Sequence, residues 1–265
     1  MSQLEQIQGP GTRPAKPPRI LIYGPHGLGK STFGAMADRP VFIQTEDGLA
    51  GLPDVPAFPL AKSYDEVRDQ LLYLSKENHG YKTLVIDSID WLEPMIWKKL
   101  CDQENVASIE KVGGGYGKGF GMALDIWHEY LRALNYLRDT KDMTIIQIAH
   151  AQIRRFDNPE TEGYDRYEIK LHKAASALLQ EHSDIVLFAN YFVGVTKDAK
   201  AFSKDGRTRA VGGERVLYTC ERPSAVAKNR YGLPEEIPFD KTGNYWSVIA
   251  GCIPFFQQQQ NVKGN

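Results

Sequence analysis

Eight consecutive residues constrain this chain more than any others. Gly24-Pro25-His26-Gly27-Leu28-Gly29-Lys30-Ser31 fill every fixed position of the pattern G-x-x-x-x-G-K-[ST]. An apolar stretch, residues 19–23 (RILIY), leads into them, and residues 30–37 read as a helix. The motif therefore sits where it has meaning, between a strand and a helix. Its glycines let backbone N–H groups converge on phosphates without side-chain clashes. Lys30 can reach the outer phosphates, the Ser31 hydroxyl can ligate Mg²⁺, and Thr32 follows at the start of the helix. A strand–loop–helix unit of this kind needs further strands beside it, which places the chain in the α/β class.

The rest of the pattern agrees. Residues 41–44, 83–86 and 144–149 are short apolar strands, and the apolar spacing predicts helices over 64–78 and around Ile126 to Leu137. Strands alternate with helices from 19 to 150, the signature of βαβ units in a parallel sheet. Beyond about residue 183 strands are expected at 184–195, 216–219, 225–227 and 245–249, with a hairpin turn at Asp205-Gly206. These would extend the sheet with antiparallel strands, and Glu236 to Asp240 reads as a strand end. Residues 1–18, rich in Gln, Pro and Gly, read as a flexible arm, 19–250 as one domain, and 251–265, with its four consecutive Gln, as a flexible tail.

Composition narrows the compartment and the partners. Three widely spaced cysteines with no C-x-x-C pair indicate neither a disulfide framework nor a zinc knuckle. No run of eighteen apolar residues and no signal-peptide core is present, so a cytoplasmic protein without membrane contact is expected. A formal net charge of -1 means that nucleic acid, if bound, must meet a local basic surface.

A phosphate loop of this type needs a carboxylate at the end of a neighbouring strand to hold Mg²⁺. Leu84-Val85-Ile86-Asp87 supplies it in Asp87, while Asp90 reads as the cap of a following helix. Glu46, after the second strand, is the candidate general base, with Asp47 as fallback. Residues 111–121 mix Lys111, Tyr116, Lys118 and Phe120 on a glycine-rich frame. Residues 153–170 hold Arg154, Arg155, Phe156, Arg166, Tyr167 and Lys170, diluted by five carboxylates. Rings and cations of this kind can stack on bases and neutralise phosphates.

In the order of these motifs the chain resembles the RecA-like ATPases, over about residues 19–240. The resemblance implies a RecA-like P-loop core that uses ATP and Mg²⁺. It implies that Glu46, in Thr45-Glu46-Asp47-Gly48-Leu49, activates water, and that Asp87-Ser88 carries the magnesium aspartate. Ile145-Ile146-Gln147-Ile148-Ala149-His150-Ala151-Gln152-Ile153-Arg154 resembles the recombinase segment ending in Asn-Gln-Ile-Arg. Gln152 is then the γ-phosphate sensor with His150 beside it, although His150-Ala151 stands where the recombinases have one Asn. Asn158-Pro159-Glu160-Thr161 and residues 170–176 resemble the segments that follow. Residues 111–121 and 153–170 then correspond to two mobile DNA-binding loops. Lys228 and Arg230, in Ala227-Lys228-Asn229-Arg230-Tyr231-Gly232-Leu233-Pro234, resemble the K-x-R pair that DnaB-type ATPases extend into a neighbouring subunit's site.

The chain looks most like phage-encoded RecA-like proteins, some of which anneal single strands alongside a single-stranded-DNA-binding protein. On that resemblance the partners are single-stranded DNA, further copies of the chain in a ring or filament, and such a binding protein, in the host cytoplasm. Two other readings stay open: a DNA motor or helicase loader, and a nucleotide-gated protein scaffold without DNA binding.

Overall fold

The computed structural model describes residues 14–157, 162–192, 194–197, 208–211 and 213–263. Asn158 to Thr161, Asp205-Gly206 and residues 1–13 of the expected arm lie outside them. At its centre is a nine-stranded sheet in the order β11-β9-β6-β1-β4-β3-β2, with β10 added beside β6 and β5 beside β4. β1 (Arg19–Gly24), β2 (Pro40–Gln44), β3 (Thr83–Asp87), β4 (Thr144–Phe156) and β6 (Ile185–Tyr191) run parallel. β5 (Tyr164–Ile169), β9 (Arg215–Tyr218), β10 (Lys228–Asn229) and β11 (Glu236–Pro238) are antiparallel to their partners. β7 (Gly194–Lys197) and β8 (Thr208–Val211) form a separate antiparallel ribbon. A mainly parallel α/β sheet extended by antiparallel strands is thus what the chain builds.

Two apolar layers bury the sheet, and β1 shows why its sequence is continuously apolar. Leu21 and Tyr23 face a core shared with α2 (Tyr64–Lys76), α3 (Ile89–Glu104), α4 (Lys118–Lys141) and α5 (Lys173–His182). Ile20 and Ile22 face the opposite core, with Phe33 of α1 (Lys30–Ala35) and Tyr245 and Ile249 of α6 (Tyr245–Cys252). Successive side chains alternate between faces, so a strand covered on both sides must be apolar throughout. The chain leaves β1 for the far edge of the sheet at β2, with α1 on one face and α2 to α5 on the other. This opens a crevice at the carboxyl ends of β1, β3 and β4, where such sheets bind ligands.

Three expected strands are corrected. Residues 245–249 form the start of α6, not a strand. Their side chains satisfy a helical face: Tyr245 and Ile249 are buried four residues apart, and Trp246 donates its Nε1–H to Phe33 O at 2.9 Å. The tail expected from 251 carries α7 (Pro254–Lys263), and Phe255 and Phe256 pack partly against the α1–α6 core. Residues 225–227 form only isolated bridges at Ala225. The segment expected as one strand over 184–195 divides into β6 and β7. Of the expected arm, residues 17 and 18 are buried, and Pro17 O accepts from Arg138 Nε at 2.6 Å. No helix among the described residues is long and apolar enough to cross a membrane.

Candidate functional site

The loop from Gly24 to Gly29 bridges β1 and α1 at the crevice. Gly27 and Gly29 take positive φ angles of 73° and 98°, a region glycine enters without a Cβ penalty. A side chain at Gly27 would meet nothing within 4 Å, so the loop opens toward solvent there. Lys30 is only 6 % exposed, and its ammonium donates to Gly24 O at 3.0 Å and Pro25 O at 2.8 Å. Burial holds its pKa below the ordinary lysine value, against the raising pull of Asp87, Asp90 and Glu46. From β9, Arg215 Nη1 donates to Leu28 O at 2.8 Å and braces the loop from outside.

Three strand ends deliver the acidic and imidazole groups. β3 ends in Asp87, which accepts from Ser31 Oγ at 2.6 Å, and burial raises its pKa. After β2, Thr45 Oγ1 donates to Ser88 O at 2.6 Å and accepts from Ser88 N at 2.8 Å, which ties the two strand ends together. Glu46 follows Thr45 into the cleft, its pKa raised by burial and countered by His150. In β4, His150 stands level with Gly24. Its ring lies 4.2 Å from that of His26, and its Nε2 is 4.0 Å from Glu46 Oε1.

Together these groups line a cleft of about 380 Å³: His26, Gly27, Gly29, Lys30, Ser31, Thr32, Glu46, Gly48, Asp87 and His150 are among its walls. The residues fit a polyphosphate and a hard cation. The ammonium of Lys30 and the open loop face one side, and the hydroxyl–carboxylate pair Ser31–Asp87 offers two oxygens to Mg²⁺. Phosphate oxygens and water would complete such a shell, as Mg²⁺ favours. A second cavity of about 760 Å³ adjoins the loop at Arg215 and is lined also by Phe192, Phe239 and Lys241.

The other expected residues fall elsewhere. Gln152 does not line the cleft; its Nε2 donates to Ile169 O at 2.9 Å, across the β4–β5 pair. Asp90 does not cap α3. Ser88 holds that position, and Asp90 lies in the first turn and binds His150. Lys228 and Arg230 stand at the amino-terminal end of β6, the sheet edge opposite the loop. There Lys228 Nζ donates to Gln180 O and Glu181 O at 2.8 and 3.0 Å, and Arg230 Nη1 pairs with Asp184 at 3.3 Å.

Residues 153–170 are not a loop throughout. β4 runs on to Phe156 and β5 pairs with it antiparallel, Arg154 opposite Arg166 and Phe156 opposite Tyr164. Arg155 is exposed near Asp157, at 3.8 Å. Arg154 Nη2 donates to Leu171 O at 3.1 Å, and Phe156 lies 4.6 Å beneath the Arg166 guanidinium. In the glycine-rich segment Lys111 is exposed in a 3₁₀ turn, Ile109–Gly114, Tyr116 is wholly exposed, and Lys118 opens α4. Phe120 is already stacked, 4.3 Å from His172 at an interplanar angle of 2°.

Phe120 and His172 wall a third cavity, about 520 Å³, with Trp91, Glu93, Trp97, Arg154 and Lys170. Both oxygens of Glu93 lie within reach of His172 N, at 2.9 and 3.1 Å, and burial pushes the Glu93 carboxyl up to about 7. Sequence reasoning missed Arg215, Glu93 and Asp90's partner. No local pattern marks them, because each acts across contacts set by packing.

A family model described as an AAA domain matches residues 16–231. The SPbeta prophage-derived uncharacterized protein YorG of Bacillus subtilis (strain 168) is 26 % identical over 184 residues, which is 68 % of this chain and 53 % of that protein. The chain thus spans about half the length of that curated relative. Among solved structures, a crystal structure of the RadB recombinase aligns with a TM-score of 0.45 at 15 % identity, over 86 % of this chain and 88 % of that one.

Proposed function

This chain belongs to the AAA-domain family, and from that premise we propose that it binds and hydrolyses ATP with Mg²⁺, binds single-stranded DNA, and acts as a homo-oligomer in phage-type recombination or strand annealing. The convergence of Lys30, Ser31, Asp87, Glu46 and His150 on one cleft carries the nucleotide part of this reading. Lys30 holds the outer phosphates once its ammonium turns from the Gly24 and Pro25 carbonyls. Ser31 and Asp87 would hold Mg²⁺, which supplies positive charge to the β- and γ-phosphates when bound. Glu46, whose carboxyl burial holds above the ordinary glutamate value, takes the proton of the attacking water. The nucleoside fits the adjoining cavity beside Arg215 and Phe239, whose volume lies in the range of small-molecule sites.

The DNA part is supported by position and chemistry. β4 carries His150 in the cleft and Arg154 and Arg155 four and five residues beyond, so one strand spans both regions. Exposed Tyr116, Trp91, Lys111 and Arg155 offer rings and cations on that side. The phage context is taken from the prophage-derived relative.

The test is ATP hydrolysis with and without single-stranded DNA, beside a DNA titration at several salt concentrations, for wild type and Lys30→Ala. ATP-dependent DNA binding, with turnover lost in the variant, is expected. Nucleotide binding with no DNA affinity would leave a protein scaffold, and strong DNA-stimulated translocation would leave a motor.

A further inference from the structure

His150 is held from behind by a carboxylate that never reaches the cleft. Asp90, on the first turn of α3, accepts the backbone N–H of His150 at 3.0 Å on Oδ1. The same carboxylate lies 2.9 and 3.2 Å from His150 Nδ1. The Asp90 side chain is 1 % exposed, so strand and ring are clamped by one buried group. An ionised carboxylate only accepts, so the imidazole hydrogen sits on Nδ1. Contacts with His150 keep the Asp90 pKa low in spite of its burial. In the neutral imidazole Nε2 is then an acceptor, and it faces Glu46 Oε1 across 4.0 Å. Two acceptors at that separation match the two hydrogens of one water molecule. A water so held turns its lone pairs away from both acceptors.

We propose that Asp90 is a positioning residue for ATP hydrolysis: by fixing the Nδ1–H tautomer and the direction of His150, it makes Nε2 and Glu46 a paired cradle for the attacking water. The proposal rests on the ATPase reading given above. In the step served, the water oxygen bonds to the γ-phosphorus. The bond from that phosphorus to the β-bridging oxygen breaks and leaves its electron pair on the oxygen of ADP. The water's proton passes to Glu46. His150 contacts the water and Asp90 acts only through His150, because Asp90 does not line the phosphate cleft. A buried carboxylate orienting an imidazole by its Nδ1–H is an established means of setting tautomer and direction in hydrolytic sites.

Three measurements test this. The first is the ¹⁵N–¹H NMR signature of the His150 ring in the unaltered protein, which must show hydrogen on Nδ1 and none on Nε2; hydrogen on Nε2, with or without one on Nδ1, overturns the proposal without any variant. The second is kcat and fluorescent-ATP affinity for Asp90→Ala and Asp90→Asn. Asp90→Ala is expected to lower kcat about a hundredfold while nucleotide affinity changes less than about threefold, and Asn, which still accepts one N–H, is expected to recover part of the loss. The third is Asp90→Ala in a His150→Ala background, where it should cost nothing further in kcat. Equal losses in both backgrounds, or wild-type turnover in Asp90→Ala, would overturn the positioning role and leave the ATPase reading standing. A wild type that binds ATP and never hydrolyses it would remove both.

Discussion

At Gly24 the chain has no room for a side chain: a Cβ there would run into the carbonyl oxygen of Ala189 on β6. Gly24→Ala should therefore push β1 from β6 and cost about 1–3 kcal/mol, as overpacking does, read as a lower urea midpoint. Glu93 gives a second prediction. Its folded pKa, about 7, stands above its ordinary value of 4.5. Between those values the folded state holds a proton that the unfolded state has released, so stability falls as pH rises. The contribution is fully present below about pH 4.5 and is lost through pH 7, on the order of 3 kcal/mol. Glu93→Gln should flatten the stability curve across that window in urea titrations at successive pH values. Such residues also show what the sequence could reveal. Lys30, Ser31, Asp87 and Glu46 each lie at a fixed offset from a strand end, so a local pattern exposes them. Asp90 with His150, Glu93 with His172 and Arg215 with Leu28 are 60, 79 and 187 residues apart, and only packing joins them.

Between elements, α6 decides how firmly the phosphate loop's helix is seated. α1 spans only six residues, too short to hold itself. Phe33 stacks against both Tyr245 and Trp246, at 5.5 and 4.6 Å, and the Trp246 indole N–H donates to Phe33 O. Trp246→Phe keeps a ring and loses that bond, and should cost about 1 kcal/mol by urea denaturation. Sequence pattern reads 245–249 as a strand because YWSVI is apolar and aromatic, a composition that fits strands and buried helices alike. The β4–β5 hairpin was hidden for the opposite reason. Its charged residues read as loop, yet Glu168 on β5 offsets the facing pair Arg154 and Arg166: it lies 4.0 Å from Arg154, diagonally across the ladder, and 3.6 Å from Arg166 on its own strand. Arg155, exposed on this hairpin beside an exposed Asp157, is placed to meet a phosphate. Arg155→Ala should weaken single-stranded DNA binding evenly across sequences and reduce the salt slope by about one.

For the whole molecule, the decisive geometry is that Lys228 and Arg230 stand at one edge of the sheet and the phosphate cleft at the other. Neither cation can serve the cleft of its own chain without dismantling the sheet between them. Any catalytic part they take is taken in another copy. Arg230 is suited to such a part, because its side chain is 52 % exposed and its partner Asp184 does not depend on it. Asp184 keeps a paired contact from Arg19, at 2.8 Å from Nη2 and 3.1 Å from Nε, when Arg230 is removed. Lys228 differs, since it caps the carbonyls that end α5 and its loss would fray that helix. Arg230→Ala is thus the cleaner probe. If a neighbour's Arg230 stabilises transition-state charge, Arg230→Ala should lose about a hundredfold or more in ATP turnover with its melting temperature unchanged. Mixed with Lys30→Ala, it should regain activity, because mixed assemblies contain sites with an intact cleft from one chain and an intact arginine from the next. A mixture that stays as inactive as its components, while each still assembles by light scattering, would return Arg230 to a surface ion pair.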